Sequence, residues 1–154
     1  MRKFTHMILA VLMLAVIAAP AFAQTDLIEL MRSDLRTEKM AIVTRAMQLT
    51  EAQSELFWPV YKEYETDMVK LNDERVTLIK DYAANYDTMT DDTAKDLINR
   101  AFKLQEARTK TLKKYVGKMG KAVDMKTAAR WAQVEQALGS AIDLQVASEL
   151  PLLK

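Results

Sequence analysis

Apolar side chains recur along residues 24–154 at spacings of three and four, which is the period of an α-helix with one buried face. No segment sustains the apolar–polar alternation of a β-strand, and no Asn-Gly or Asp-Gly pair marks a strand hairpin. The pattern therefore predicts an all-α chain with about four helices.

The best-defined helix is predicted to run to about Tyr86. It opens with Leu49-Thr50-Glu51-Ala52-Gln53, where Thr50 and Gln53 can each bond the other's backbone amide in a capping box. Pro59 lacks a backbone donor and is expected to kink this helix. Apolar side chains at heptad-like spacing form the candidate face for a client or partner: Phe57, Tyr61, Tyr64, Met68 and Leu71.

Three further helices are indicated by capping, glycine and proline residues. They are predicted from about Asp26 to Met47, from the N-cap Thr90 to the glycines Gly117 and Gly120, and from Asp124 or Thr127 to Pro151. The second and third helices are expected to form an elongated antiparallel coiled-coil hairpin flanked by the other two. Such a hairpin buries little area for its length, so a homodimer is expected.

Charge is divided between two regions of the chain. Residues 51–96 hold twelve acidic and five basic side chains, whereas residues 97–130 hold ten basic and two acidic ones. An antiparallel hairpin would place an acidic helix beside a basic one, which specifies pairing more than it adds stability. Arg75 and Arg108 fall on apolar stripes, where an unpaired buried charge is costly. They either face water or meet acids across the hairpin.

Residues 1–23 have the features of a secretory signal peptide. Two basic residues precede an apolar run over residues 7–19, which is shorter than the roughly 20 residues needed to span a bilayer. Ala21-Phe22-Ala23 offers small residues at the two positions that a signal peptidase recognises, so cleavage after Ala23 is predicted. We therefore expect export, with residues 24–154 forming a single helical domain.

The cleaved chain would contain neither histidine nor cysteine, because His6 is the one histidine and there is no cysteine. Nucleophilic triads, thiol chemistry and most zinc sites need these residues. We therefore expect no enzyme activity, no cofactor and no such metal site. Four acids could still form a carboxylate-only cation site, although helix capping is the favoured interpretation: Asp87, Asp91, Asp92 and Asp96.

The basic stretch of residues 108–121 has the composition of a nucleic-acid patch. The export signal argues against nucleic acid as a partner. The same lysines would suit a weak contact with anionic lipid headgroups.

The signal sequence, the Leu49-Thr50-x-x-Gln53 motif before a long helix and the small helical pattern resemble the Spy/CpxP-type LTxxQ periplasmic proteins. The resemblance is partial, because residues 123–131, before the last helix, hold no second copy of the motif. It implies a helical-hairpin fold that often dimerises, a periplasmic location and a role in envelope stress. Members act as ATP-independent chaperones or as regulators of membrane sensor kinases.

We therefore expect a non-enzymatic periplasmic binding protein, either a Spy-like ATP-independent chaperone or an envelope-stress protein. It would hold unfolded or envelope polypeptides on a partly apolar helical surface. No G-x-x-x-x-G-K-[ST] motif is present, so binding would be passive. The alternative is a regulatory or structural coiled-coil partner of a membrane sensor domain or another envelope component.

Overall fold

The computed structural model of the chain describes residues 37–153. This part contains four helices and no strand: α1 over residues 37–47, α2 over Glu51–Asn85, α3 over Asp91–Ala122 and α4 over Met125–Glu149. A short 3₁₀ turn, Tyr86–Thr88, connects α2 to α3. The all-α prediction is therefore confirmed. The predicted signal peptide and the predicted first part of α1 lie outside the described residues.

The chain divides into two compact units, Met1–Ile42 and Val43–Lys154. The described part of the first unit, residues 37–42, is helical. The second unit contains the end of α1 and all of α2, α3 and α4. The backbone after α1 turns at Gln48, whose φ of 48° lies in the left-handed region.

Helices α2 and α3 form an antiparallel hairpin. Lys118 Nζ on late α3 lies 2.8 Å from Glu63 Oε2 on early α2. Arg100 Nη1 on early α3 lies 2.8 Å from Asp81 Oδ2 on late α2. The expected pairing of an acidic helix with a basic one is thus present, although exposed ion pairs of this kind define the register more than they stabilise it.

Helix α4 runs parallel to α2. Near the start of both helices, Gln53 Nε2 donates to Thr127 Oγ1 at 3.3 Å. Further along both, Arg75 Nη2 lies 2.8 Å from Asp143 Oδ1. Because α3 is antiparallel to both, the second unit is an up-down-up bundle of three helices, and α4 covers the hairpin.

The starts of α2 and α4 are joined through their caps. Thr50 Oγ1 accepts from the Gln53 N–H at 3.3 Å, and Gln53 Oε1 accepts from the Thr50 N–H at 3.1 Å, so the capping box is present. The cap of α4 is Asp124, whose Oδ1 accepts from the Thr127 N–H at 2.7 Å. Gln53 Nε2 also lies 3.4 Å from Asp124 Oδ2. One glutamine therefore caps its own helix and bonds the cap of its neighbour.

An aromatic cluster at this end of the bundle forms the core. Trp131 of α4 is fully buried, and its ring centroid lies 5.0 Å from that of Tyr64 and 6.3 Å from that of Phe57, both in edge-on geometry. Such ring pairs contribute about 0.5–1.5 kcal/mol beyond the burial of their area. The buried core consists of Val43, Met47, Phe57, Tyr61, Tyr64, Met68, Tyr115, Met119, Ala128 and Trp131.

This core contains the side chains that the sequence predicts as the face for a client or partner. Phe57, Tyr61, Tyr64 and Met68 are each at most 5% exposed, and Leu71 packs partly buried against them. The structure corrects that assignment. A two-helix hairpin would leave this stripe open, but α4 covers it.

A proline expected to kink α2 and two glycines expected to end α3 lie within these helices. Helix α2 continues through Pro59, and α3 continues past Gly117 and Gly120 to Ala122. Pro59 and Glu55 are both exposed, so water can reach the Glu55 carbonyl that would otherwise accept the missing bond. A kink at Pro59 stays a prediction.

Replacing Gln53 with alanine is expected to lower the free energy of unfolding by about 1–2 kcal/mol, because the change removes half of the α2 capping box and the link to α4. Urea unfolding followed by circular dichroism measures this. Gln133→Ala is the matched control, since Gln133 is exposed in mid-α4 and should shift stability by less than about 0.5 kcal/mol. Equal losses for both variants would show that the link contributes nothing.

Stability is expected to fall as pH rises above about 10, where tyrosines of the unfolded chain lose their protons. Burial raises the pKa of Tyr61 and Tyr64, with the nearby charges of Glu65 and Glu135 adding to the effect. The folded chain therefore holds more protons than the unfolded one in this range. Tyr64→Phe removes one such proton, so stability plotted against pH should fall less steeply above pH 10. An unchanged slope would contradict this.

Candidate binding cleft

A cleft of about 740 Å³ lies between the second half of α2, the first half of α3 and the second half of α4. Ligand sites in proteins are commonly clefts of about 300–1,000 Å³ with mainly apolar walls. The wall here is mainly apolar too: Met68, Leu78, Ile79, Tyr82, Met89, Leu97, Ile98, Leu104, Leu112, Val146 and Leu150.

Small side chains line this cleft, whereas large side chains fill the other end of the bundle. Ala94 and Ala101 of α3 and Gly139 and Ser140 of α4 line it. A Cβ atom added at Gly139 would meet no other atom within 4 Å. Protein interiors are otherwise close-packed. These four small residues therefore leave space at this end, whereas Trp131 fills the bundle at the opposite end.

An ion pair between α2 and α4 lies along this cleft. Arg75 Nη2 is 2.8 Å from Asp143 Oδ1, and the Arg75 side chain is 17% exposed. Burial lowers the pKa of Arg75, whereas Asp143 raises it and the charge of Arg108 lowers it again. The open question about Arg75 is thereby answered: it pairs with an acid of α4, not with one across the hairpin.

Arg108 lies on the same cleft wall and is half-buried. Its Nη1 donates to Asn72 Oδ1 at 2.9 Å. A guanidinium carries five N–H donors, so most of those on Arg108 remain available after this bond. Arg108 thus forms a hydrogen bond to a side-chain amide of α2 across the hairpin.

The inner end of the cleft is formed by a buried hydroxyl and a buried carboxylate. Tyr64 Oη donates to Glu135 Oε2 at 3.0 Å, and Glu135 is 7% exposed. Burial is the main cause that raises the pKa of Tyr64, followed by the charge of Glu135. This pair marks the boundary between the aromatic core and the cleft.

Uncharged polar side chains lie on both rims of the cleft. Gln105 and Thr109 are one turn apart on α3, and Gln136 and Ser140 are one turn apart on α4. All four are exposed. Amides and hydroxyls can both donate and accept hydrogen bonds, which matches the alternating donors and acceptors of a peptide backbone.

The outer end of the cleft is bordered by residues 150–153, which we call the extension. Its first and last residues line the cleft. Tyr82 Oη donates to the carbonyl of Pro151 at 2.6 Å, and Tyr86 Oη donates to the carbonyl of Leu152 at 3.0 Å. Tyr82 near the end of α2 and Tyr86 in the following 3₁₀ turn therefore hold the backbone of this segment.

Only part of the candidate site was found from the sequence. Of the proposed client face, Tyr64 and Met68 line the inner end of the cleft, while Phe57, Tyr61 and Leu71 do not. The small residues of α3 and α4 and the two tyrosine hydroxyls were missed. The run Gly139-Ser140-Ala141 was the available signal, since small residues at helix contacts leave space.

The acids of residues 87–96 do not converge. Asp91 and Asp92 lie in the first turn of α3, where the helix dipole favours negative charge. Across residues 37–153, no three His, Cys, Asp or Glu side chains lie close enough together to hold a metal ion. None of the helices in this described region is both long and apolar enough to cross a membrane.

The chain matches no protein-family model, and no curated protein or solved structure shows significant similarity to it.

Gly139→Leu is expected to fill part of the cleft and to raise the free energy of unfolding by about 0.5–1 kcal/mol, because leucine favours helix more than glycine does. Gly117→Leu is the matched control, since Gly117 is exposed on α3, away from the cleft, and also has free space around it. Both should be stabilised, but only Gly139→Leu should bind less of an apolar fluorescent dye. Equal dye binding by the two variants would contradict this assignment of the cleft.

Proposed function

We propose that this chain is an exported, non-enzymatic binding protein of the periplasm that holds apolar segments of unfolded polypeptides in its cleft without nucleotide, as an ATP-independent chaperone. The observation that supports this most is the cleft itself, because its wall is apolar and its rims carry amides and hydroxyls. Apolar client side chains would lose water against the wall, at about 25 cal/mol per Å². The rim groups would satisfy a client backbone that is costly to bury unpaired.

The sequence supports the location and the absence of catalysis. Residues 1–23 carry the features of an export signal, and residues 24–154 contain no histidine or cysteine for nucleophilic chemistry. Since the cleft is preformed, a client can enter and leave it by diffusion. Binding of this kind is moderate in affinity and needs no energy source for release.

A second candidate function is binding to one dedicated partner. The exposed face of α3 supports this candidate. Four lysines on this face form no ion pair within the described residues: Lys103, Lys110, Lys113 and Lys121. Such a stripe suits an acidic partner surface or anionic headgroups. Dimerisation stays a prediction.

Light scattering of a chemically denatured client, diluted into buffer with and without the purified protein, tests the chaperone proposal. We expect near-stoichiometric protein to suppress aggregation without nucleotide. Gly139→Leu should need several-fold more protein for the same effect, because its cleft is partly filled, whereas Gly117→Leu should act like the unmodified chain.

Two results would count against the proposal. No suppression at several-fold excess would exclude general client binding and favour the dedicated partner. Suppression that is equal for the two glycine variants would place client binding outside the cleft.

A further inference from the structure

We infer that the cleft takes short, extended, leucine-bearing polypeptide segments, and that the extension Leu150–Leu153 is an internal mimic that such a client displaces. This inference rests on the proposed function, since it names the client class of the same cleft. The juxtaposition that carries it is a non-helical segment whose Leu150 and Leu153 line the cleft and whose backbone carbonyls accept from Tyr82 and Tyr86.

The extension begins with a residue in extended conformation. Helix α4 ends at Glu149, and Leu150 adopts φ −91° and ψ 122°, which is extended. Pro151 follows and cannot donate to a continuing helix. The backbone carbonyls of Pro151 and Leu152, beyond the end of α4, accept hydrogen bonds from the two tyrosine hydroxyls.

The side chains of the extension divide between cleft and solvent. Leu150 and Leu153 line the cleft, whereas Leu152 is 89% exposed. Two leucines three positions apart therefore face the cleft, whereas Leu152 faces solvent. The same spacing of apolar side chains is the feature that a client would share.

The hold on the extension is weak enough to allow exchange. Two neutral hydrogen bonds and two leucines, of which Leu153 remains 48% exposed, form the contact. The tether to α4 gives the extension a high effective concentration at the cleft, so it competes well although its contact is small. A client with more apolar side chains than the extension overcomes that advantage.

Competition between the extension and a peptide in trans tests this inference. The probe is a fluorescein-labelled peptide with the sequence of residues 148–154, Ser-Glu-Leu-Pro-Leu-Leu-Lys. Fluorescence anisotropy compares the full chain with a variant that ends at Glu149, the last residue of α4. Removing the tethered competitor is expected to tighten peptide binding by about tenfold or more.

Point variants test the individual groups separately. They also keep the inference testable where the truncation disturbs folding. In the full chain, Leu153→Ser should also tighten peptide binding, whereas Leu152→Ser is the matched control and should leave it unchanged because Leu152 is exposed. In the truncated chain, Tyr82→Phe with Tyr86→Phe should weaken peptide binding several-fold. Circular dichroism confirms that each variant folds.

The outcomes distinguish this inference from the proposed function. Equal peptide affinity of the full and truncated chains, or no binding by either, overturns the inference even where aggregation of a denatured client is suppressed. Tight binding by the truncated chain alone supports the inference, even where aggregation is not suppressed and the chaperone proposal fails. Equal effects of Leu153→Ser and Leu152→Ser would also overturn it.

Discussion

The packing of Trp131 against the rings of Phe57, Tyr61 and Tyr64 is the contact on which the arrangement of the second unit depends. Helix α4 has no direct connection to α2, so side-chain contacts define how these two helices pack against each other. A buried indole contributes a large apolar area, and its edge-on contacts with three rings favour one geometry over others. The cap link from Gln53 to Asp124 and Thr127 then fixes the same end with polar contacts.

The opposite end of the same three helices is open because small residues interrupt its apolar walls. Ala101 and Gly139 leave space, and Arg75 reaches Asp143 along that space. Desolvating an ion pair offsets much of its attraction, so this contact specifies where α4 lies more than it stabilises the fold. Side-chain size along one bundle thus separates a packed end from an end with an open cleft.

Local signals in the sequence predicted most of the fold. Three helices begin at caps that the sequence predicts: Thr50, Thr90 and Asp124. Capping is predictable because it depends on a few neighbouring atoms. The glycines of α3 predict a helix end, but α3 continues to Ala122, and Tyr115 and Met119 beside these glycines are buried in the core.

The candidate site was less predictable because it depends on contacts between residues far apart in the chain. A heptad stripe indicates that Phe57 and Tyr64 face a neighbour, but it does not say that a third helix covers them. The sequence of α4 alone does not reveal that it runs parallel to α2. Without that register, neither the partner of Arg75 nor the meeting of Tyr82 with Pro151 could be inferred.

The unequal packing along α4 has a consequence for how the helix exchanges its amide protons. Its first turns hold Ala128 and Trp131, both fully buried, whereas nearly every residue from position 140 to 149 is exposed. Local opening requires less free energy where fewer apolar contacts are lost. The end of α4 can therefore unwind while its start stays folded, so one continuous helix belongs to two cooperative units.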